Sequence, residues 1–142
     1  MLKRKLYKKS GKYGPLRGIR VPRKGRFEPV LETESGVKVR SLYEKRCADY
    51  LFRNKIEFQY EPLMLLGGRQ FRPDFFLPEY SLFLEICGYD HMPFYRDRTA
   101  HKRHVYRKQG LQSVFLHYKG KGSLETRIRT ELSRLGVEFL VA

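Results

Sequence analysis

The stretch RPDFFLPEYSLFLEICG, residues 72–88, constrains this chain more than any other. Two apolar runs are separated by Pro78-Glu79-Tyr80, a pattern that predicts two strands folded back on one another. Period-two alternation puts Phe83, Glu85 and Cys87 on one face of the second run, so a carboxylate stands among apolar neighbours. An unpaired buried charge is expensive, so Glu85 must find a partner inside or point out from an edge. Asp74 lies eleven positions earlier, directly after Pro73. Both acids also admit a plainer reading: Glu85 on the solvent side of a half-exposed strand, and Asp74 in a turn.

The surrounding pattern predicts an α/β fold. Segments 56–66, 70–77 and 81–87 are aromatic and aliphatic runs interrupted by Gly67-Gly68 and by the 78–80 turn, which predicts a three-stranded antiparallel meander. Before it, SLYEKRCADYLFRN at 41–54 spaces Leu42, Cys47, Ala48, Leu51 and Phe52 as one face of a helix. Ser41 can cap that helix. Glu44 has two readings: capping-box partner of Ser41, or an inward-facing acid above the apolar stripe of Cys47, Ala48 and Leu51. After the meander come a basic helix from Phe94 to Gly110, a strand at Ser113–Tyr118, a helix at Leu124–Leu135 and an apolar run at Val137–Val141. The expected order is helix, meander, helix and strand. Its central sheet is mixed and flanked by helices, with the last strand parallel to a meander strand through a right-handed crossover.

Charge is distributed unevenly along this frame. The chain of 142 residues has 30 Lys and Arg against 15 Asp and Glu, a net charge of +15 that marks a partner made of phosphate. Eleven of those cations fall in residues 1–26 with no acid among them: Lys3, Arg4, Lys5, Lys8, Lys9, Lys12, Arg17, Arg20, Arg23, Lys24 and Arg26. Residues 1–36, rich in Gly and Pro as well, are expected to form an extended basic arm, and residues 37–142 the domain. No run approaches the roughly 18 apolar residues of a membrane span, and the start lacks a secretory pattern. An intracellular, cytoplasmic protein is expected. The two cysteines, Cys47 and Cys87, form no CxxC pair, so neither a disulfide framework nor a structural zinc site is indicated.

Hydrolysis of a phosphodiester needs cations against the charge developing on phosphate, and hard cations take carboxylate oxygens. Asp74 and Glu85 meet that requirement. At this point the residues resemble the PD-(D/E)xK nucleases of the restriction-endonuclease-like fold, with Pro73-Asp74 as the PD and Glu85-Ile86-Cys87 at the place of (D/E)xK. The likeness spans about residues 37–118. It is strongest toward small single-domain members, such as very-short-patch-repair-like, transposon-end and junction-cleaving endonucleases, in which a helix Glu precedes the PD strand; Glu44 matches it.

The resemblance implies a Mg²⁺-dependent endonuclease acting on DNA, with Mn²⁺ able to substitute. It implies Asp74, Glu85 and the Ile86 backbone carbonyl as metal ligands, with Glu44 serving a second ion directly or through water. Cys87 departs from the pattern, because a thiol cannot supply the motif's cation. Some family members move that lysine to the following helix. Here Tyr95, Arg98, Lys102 and Tyr106 share one helical stripe, and Lys102 is the candidate substitute. Arg98, Arg103 and Arg107, with the arm, are expected to grip phosphates. RNA in place of DNA and a homodimer both stay open. The competing reading is a non-catalytic basic nucleic-acid-binding module, ribosome-associated or architectural, in which the acids are structural.

Overall fold

The computed structural model describes residues 28–88 and 92–140, so the basic arm through Arg26 lies outside the described residues, as do Tyr89 and His91. The first described elements are two short paired strands, β1 (Leu31–Glu32) and β2 (Lys38–Val39). Thr33 between them is buried, its hydroxyl donates to the Val37 carbonyl at 2.7 Å, and the Glu34 N–H donates to Asp49 on the first helix at 2.8 Å. Residues 31–39 thus form a paired unit held to the first helix through Asp49.

Helix α1 (Leu42–Arg53) follows. Ser41 caps it, its hydroxyl accepting from the Glu44 N–H at 3.2 Å. The stripe of Cys47, Ala48 and Leu51 is wholly buried. The chain leaves α1 through Asn54, whose side chain donates to the Tyr50 carbonyl, and Lys55, which adopts a left-handed φ of 59°.

The expected meander is present with an excursion inserted in it. Its first run divides into β3 (Gln59–Tyr60) and β4 (Met64–Leu66), and its second into β5 (Arg69–Phe71) and β6 (Phe75–Leu77). β4 and β5 pair only with each other, as a hairpin turning at Gly67-Gly68, whereas β3 pairs with β6. The breaks fall at Pro62, after Glu61 with its left-handed φ of 48°, and at Pro73. Proline cannot donate to a ladder, so neither run continues as one strand. The run of 82–87 is a single strand, β7 (Leu82–Cys87), antiparallel to β6.

Helix α2 (Pro93–Lys108) then carries the chain to β8 (Gln112–His117), which lies parallel to β7, and α3 (Leu124–Ser133) completes the described elements. The central sheet has the order β3-β6-β7-β8, so it is mixed, as expected. On one face Leu82, Leu84, Val114 and Leu116 join Cys47 and Leu51 of α1 and Ile128 and Leu132 of α3 in a single apolar core. Each fully buried Leu or Ile there contributes roughly 1.5–3 kcal/mol of hydrophobic stabilisation. Arg46 of α1 and Glu125 of α3 pair at 2.9 Å over the rim. On the other face α2 lies over Phe83, with the Tyr106 ring stacked on it at 5.0 Å. Residues 137–140 form no regular element, though Val137 is buried and Phe139 stacks on Tyr50. Among the described residues no helix is long and apolar enough to cross a membrane.

Candidate active site

The register of β6 and β7 brings the two motif acids together. Phe75 pairs with Leu84, so one more step along the ladder sets Asp74 across from Glu85. Asp74 accepts a hydrogen bond from the Ile86 N–H at 2.7 Å, which fixes its carboxylate against β7. Burial comes first, and the nearby Glu85 charge second, in holding the Asp74 carboxyl well above the usual carboxylate range; Lys102 and the Ile86 N–H pull the other way.

Glu85 is 3 % exposed, so the solvent-facing reading fails. Both its oxygens are engaged from α2: the Lys102 ammonium lies 2.9 Å from Oε1, and the Tyr106 hydroxyl donates to Oε2 at 2.5 Å. Positions 102 and 106 are one helical turn apart, so α2 can deliver both groups to one carboxylate. Lys102 also donates to the Arg72 carbonyl at 3.1 Å, which leaves one of its three N–H donors without a partner among the described residues. Burial disfavours its ammonium, but the Glu85 and Asp74 charges outweigh burial and its pKa is raised, so it stays cationic. Tyr106 is held as the neutral phenol by burial and by the same carboxylate.

Glu44 takes the inward reading, and only the Ser41 half of the capping box forms. Its backbone N–H is capped by Ser41, while its carboxylate turns inward and accepts from the Arg40 N–H at 3.1 Å and the Tyr60 hydroxyl at 2.7 Å. Burial raises its pKa, against the pull of those two hydrogen bonds.

A fourth acid joins from a position that the sequence does not mark. Glu61 follows β3, and its N–H donates to the Asp74 carbonyl at 3.0 Å, closing the base of the β4–β5 hairpin. Carboxylate oxygens of Glu44, Glu61 and Asp74 lie within 4.8 Å of one another, the one His, Cys, Asp and Glu grouping of ligand-set spacing among the described residues. Glu85 is outside that set. Arg40 clamps Glu61 through two bonds, at 2.7 and 3.0 Å. Glu61 stands within the run of 56–66 beside the equally polar Glu57 and Gln59, so it is not singled out there; Tyr106, by contrast, shares the Lys102 stripe and could have been found there.

The remaining expected residues fall around this centre. Cys87 is buried, with Thr99 Oγ1 4.0 Å from its sulfur. Ile86 is half-buried on β7. Arg98 lies over the Phe94 and Tyr95 rings at 5.7 and 5.9 Å. Arg103 lies 4.4 Å over Phe115, and its guanidinium is 3.1 Å from His117 Nε2. Arg107 is exposed. The His101 ring stacks against Phe71, and among the described residues no histidine enters the acidic group.

The arrangement thus combines oxygen donors suited to a hard divalent cation with a buried lysine and a phenol. Comparison of the chain with protein-family models, with curated proteins and with solved structures finds no match.

Proposed function

We propose that this chain is a Mg²⁺-dependent endonuclease of the PD-(D/E)xK type, built on a restriction-endonuclease-like core and hydrolysing phosphodiester bonds of DNA. One observation carries the reading: Lys102 of α2 reaches Glu85 at 2.9 Å, bringing an ammonium to the acid whose motif lysine is replaced by Cys87.

The residues fit a divalent ion. Glu44, Glu61 and Asp74 crowd hard oxygen donors, and burial first, with neighbouring carboxylates adding to it, raises the pKa values of Glu44 and Asp74. Asp74, Glu44 and Glu61 would hold Mg²⁺, and the family pattern adds Glu85, which lies outside that set, and the Ile86 carbonyl. When bound, such an ion neutralises phosphate charge and makes water acidic enough to supply a nucleophile. Tyr106 fixes the orientation of Glu85, and Arg40 that of Glu61. Lys102 offers its free N–H to phosphate, a charge-assisted bond that favours the more negative transition state. The basic arm and Arg98, Arg103 and Arg107 supply phosphate contacts that position the strand.

Supercoiled plasmid and branched DNA incubated with the protein in Mg²⁺ or Mn²⁺ should be nicked or cut, and Asp74→Ala and Glu85→Ala should each abolish cleavage. Cleavage that survives both substitutions removes the site assignment. A second reading, a basic binding module without catalysis, draws on the full satisfaction of Glu85 by Lys102 and Tyr106. It predicts salt-sensitive DNA binding with no cleavage under any metal.

A further inference from the structure

Successive residues of a helix point about 100° apart, and α2 uses that turn to serve two places. Lys102 reaches Glu85 on β7, while Arg103 lies over the Phe115 ring of β8. Beside Arg103, α2, β8 and α3 enclose an open recess of about 550 Å³. Arg103, Arg107, Arg134, Glu131, Ser113 and Phe115 are among its lining residues, and none of the four acids of the candidate active site is. β8 is the outer strand of the sheet, so this side of the molecule is not covered by a further strand.

The chemistry of the recess is specific. Arg103 and Arg107 stand one turn apart on α2, and neither has a carboxylate partner among the described residues. Arg134 shares the Glu131 carboxylate at 3.4 Å with two thirds of its side chain exposed. Three guanidinium groups against one carboxylate leave an excess of positive charge around an aromatic ring and a serine hydroxyl. Guanidinium forks match phosphate oxygens, and aromatic rings receive bases that have left the helical stack. Ser113 and Glu131 supply a hydroxyl and a carboxylate for the polar edge of a base. The volume falls within the roughly 300–1,000 Å³ of small-molecule sites. A stacked duplex presents phosphates and groove edges to such a recess, whereas an unpaired nucleotide can enter it.

We infer that the recess between α2, β8 and α3 seats an unpaired nucleotide of a nucleic-acid strand, with Arg103, Arg107 and Arg134 on its phosphates. The inference rests on the nuclease reading only in taking nucleic acid as the partner. It adds a substrate class: DNA carrying a single-stranded or displaced segment next to the point of attack.

The test uses the full chain and a fluorescent single-stranded oligodeoxythymidylate, with a blunt duplex of equal length for comparison, followed by anisotropy across a salt series. Arg107→Ala/Arg134→Ala should weaken single-strand binding roughly tenfold and reduce the salt slope by about 1.4, at ~0.7 for each phosphate no longer neutralised. Its loss of duplex affinity should not exceed that of Lys38→Ala/Lys121→Ala, which removes equal charge from exposed positions outside the recess. Arg107→Lys/Arg134→Lys should recover part of the slope. Equal single-strand losses in the two alanine doubles, or an unchanged slope, overturn the inference. Asp74→Ala should leave oligonucleotide binding intact, so a wild type that cuts nothing yet shows the recess-selective loss refutes the nuclease reading alone.

Discussion

The two faces of β7 are both largely hidden from water but differ in kind. Toward α1 and α3, Leu82 and Leu84 are fully buried in an apolar core. Toward α2, Phe83, Glu85 and Cys87 are also buried, yet the middle residue is a carboxylate clamped by Lys102 and Tyr106. The apolar face stabilises the fold by burial and packing. The other face spends much of its Coulomb energy on desolvation, because a buried ion pair recovers little beyond what dehydrating its members costs. A fold gains little from such a pair that leucine would not supply as well, so stability alone does not account for it.

The largest break in that comparison is Lys102→Ala. Removing one member of a buried pair leaves the other uncompensated, so denaturant unfolding should show a loss of about 3–5 kcal/mol. Lys102→Met with Glu85→Gln in the same chain should recover much of it, as neither buried charge then remains. A single loss no greater than a surface pair's would mean that Glu85 is solvated in the native state.

Leu84→Ala, on the opposite face of the same strand, should cost about 2–5 kcal/mol through lost burial and the cavity left behind. Where this variant remains folded, its DNA affinity should match the wild type. A fall in affinity without a fall in stability would mean that the two faces are coupled.

The smallest effect has the opposite sign and sharpens the contrast. Burial and Glu85 raise the folded pKa of Asp74, so the folded state holds this proton more tightly than the unfolded chain. The associated stability is complete below the unfolded value near pH 4 and is lost as pH rises through the folded value. Without divalent metal, Asp74→Asn should therefore raise the melting temperature at neutral pH and flatten its decline above about pH 4. Wild type alone should gain further stability from Mn²⁺, by linkage. A variant less stable than wild type at pH 7 would mean that the carboxylate is ionised and paired.

Much of the fold was legible because its signals are local. Ser41 ahead of an apolar stripe announced α1, and the run 82–87 bounded by a turn and Gly88 announced β7. The β4–β5 excursion was missed because apolar content hid Pro62 and Pro73, each able to end a strand. In the site, Glu85 was legible as a charge within an apolar run, and Lys102 as the cation on the stripe that faces it. Glu61 gave no distinct sign, since it shares the run of 56–66 with the equally polar Glu57 and Gln59.

By itself the sequence determined the α/β order, the parallel return to a strand of the meander and the two acids on neighbouring strands, because periodicity and turn chemistry act over a few residues. Tertiary structure alone decided that Glu61 joins Glu44 and Asp74, that Lys102 and Tyr106 share Glu85, and that two arginines of α2 and one at the end of α3 ring one recess. Those relations depend on how the hairpin base, α2 and α3 settle against the sheet. Side chains far apart in the chain meet only through that packing, which no local pattern encodes.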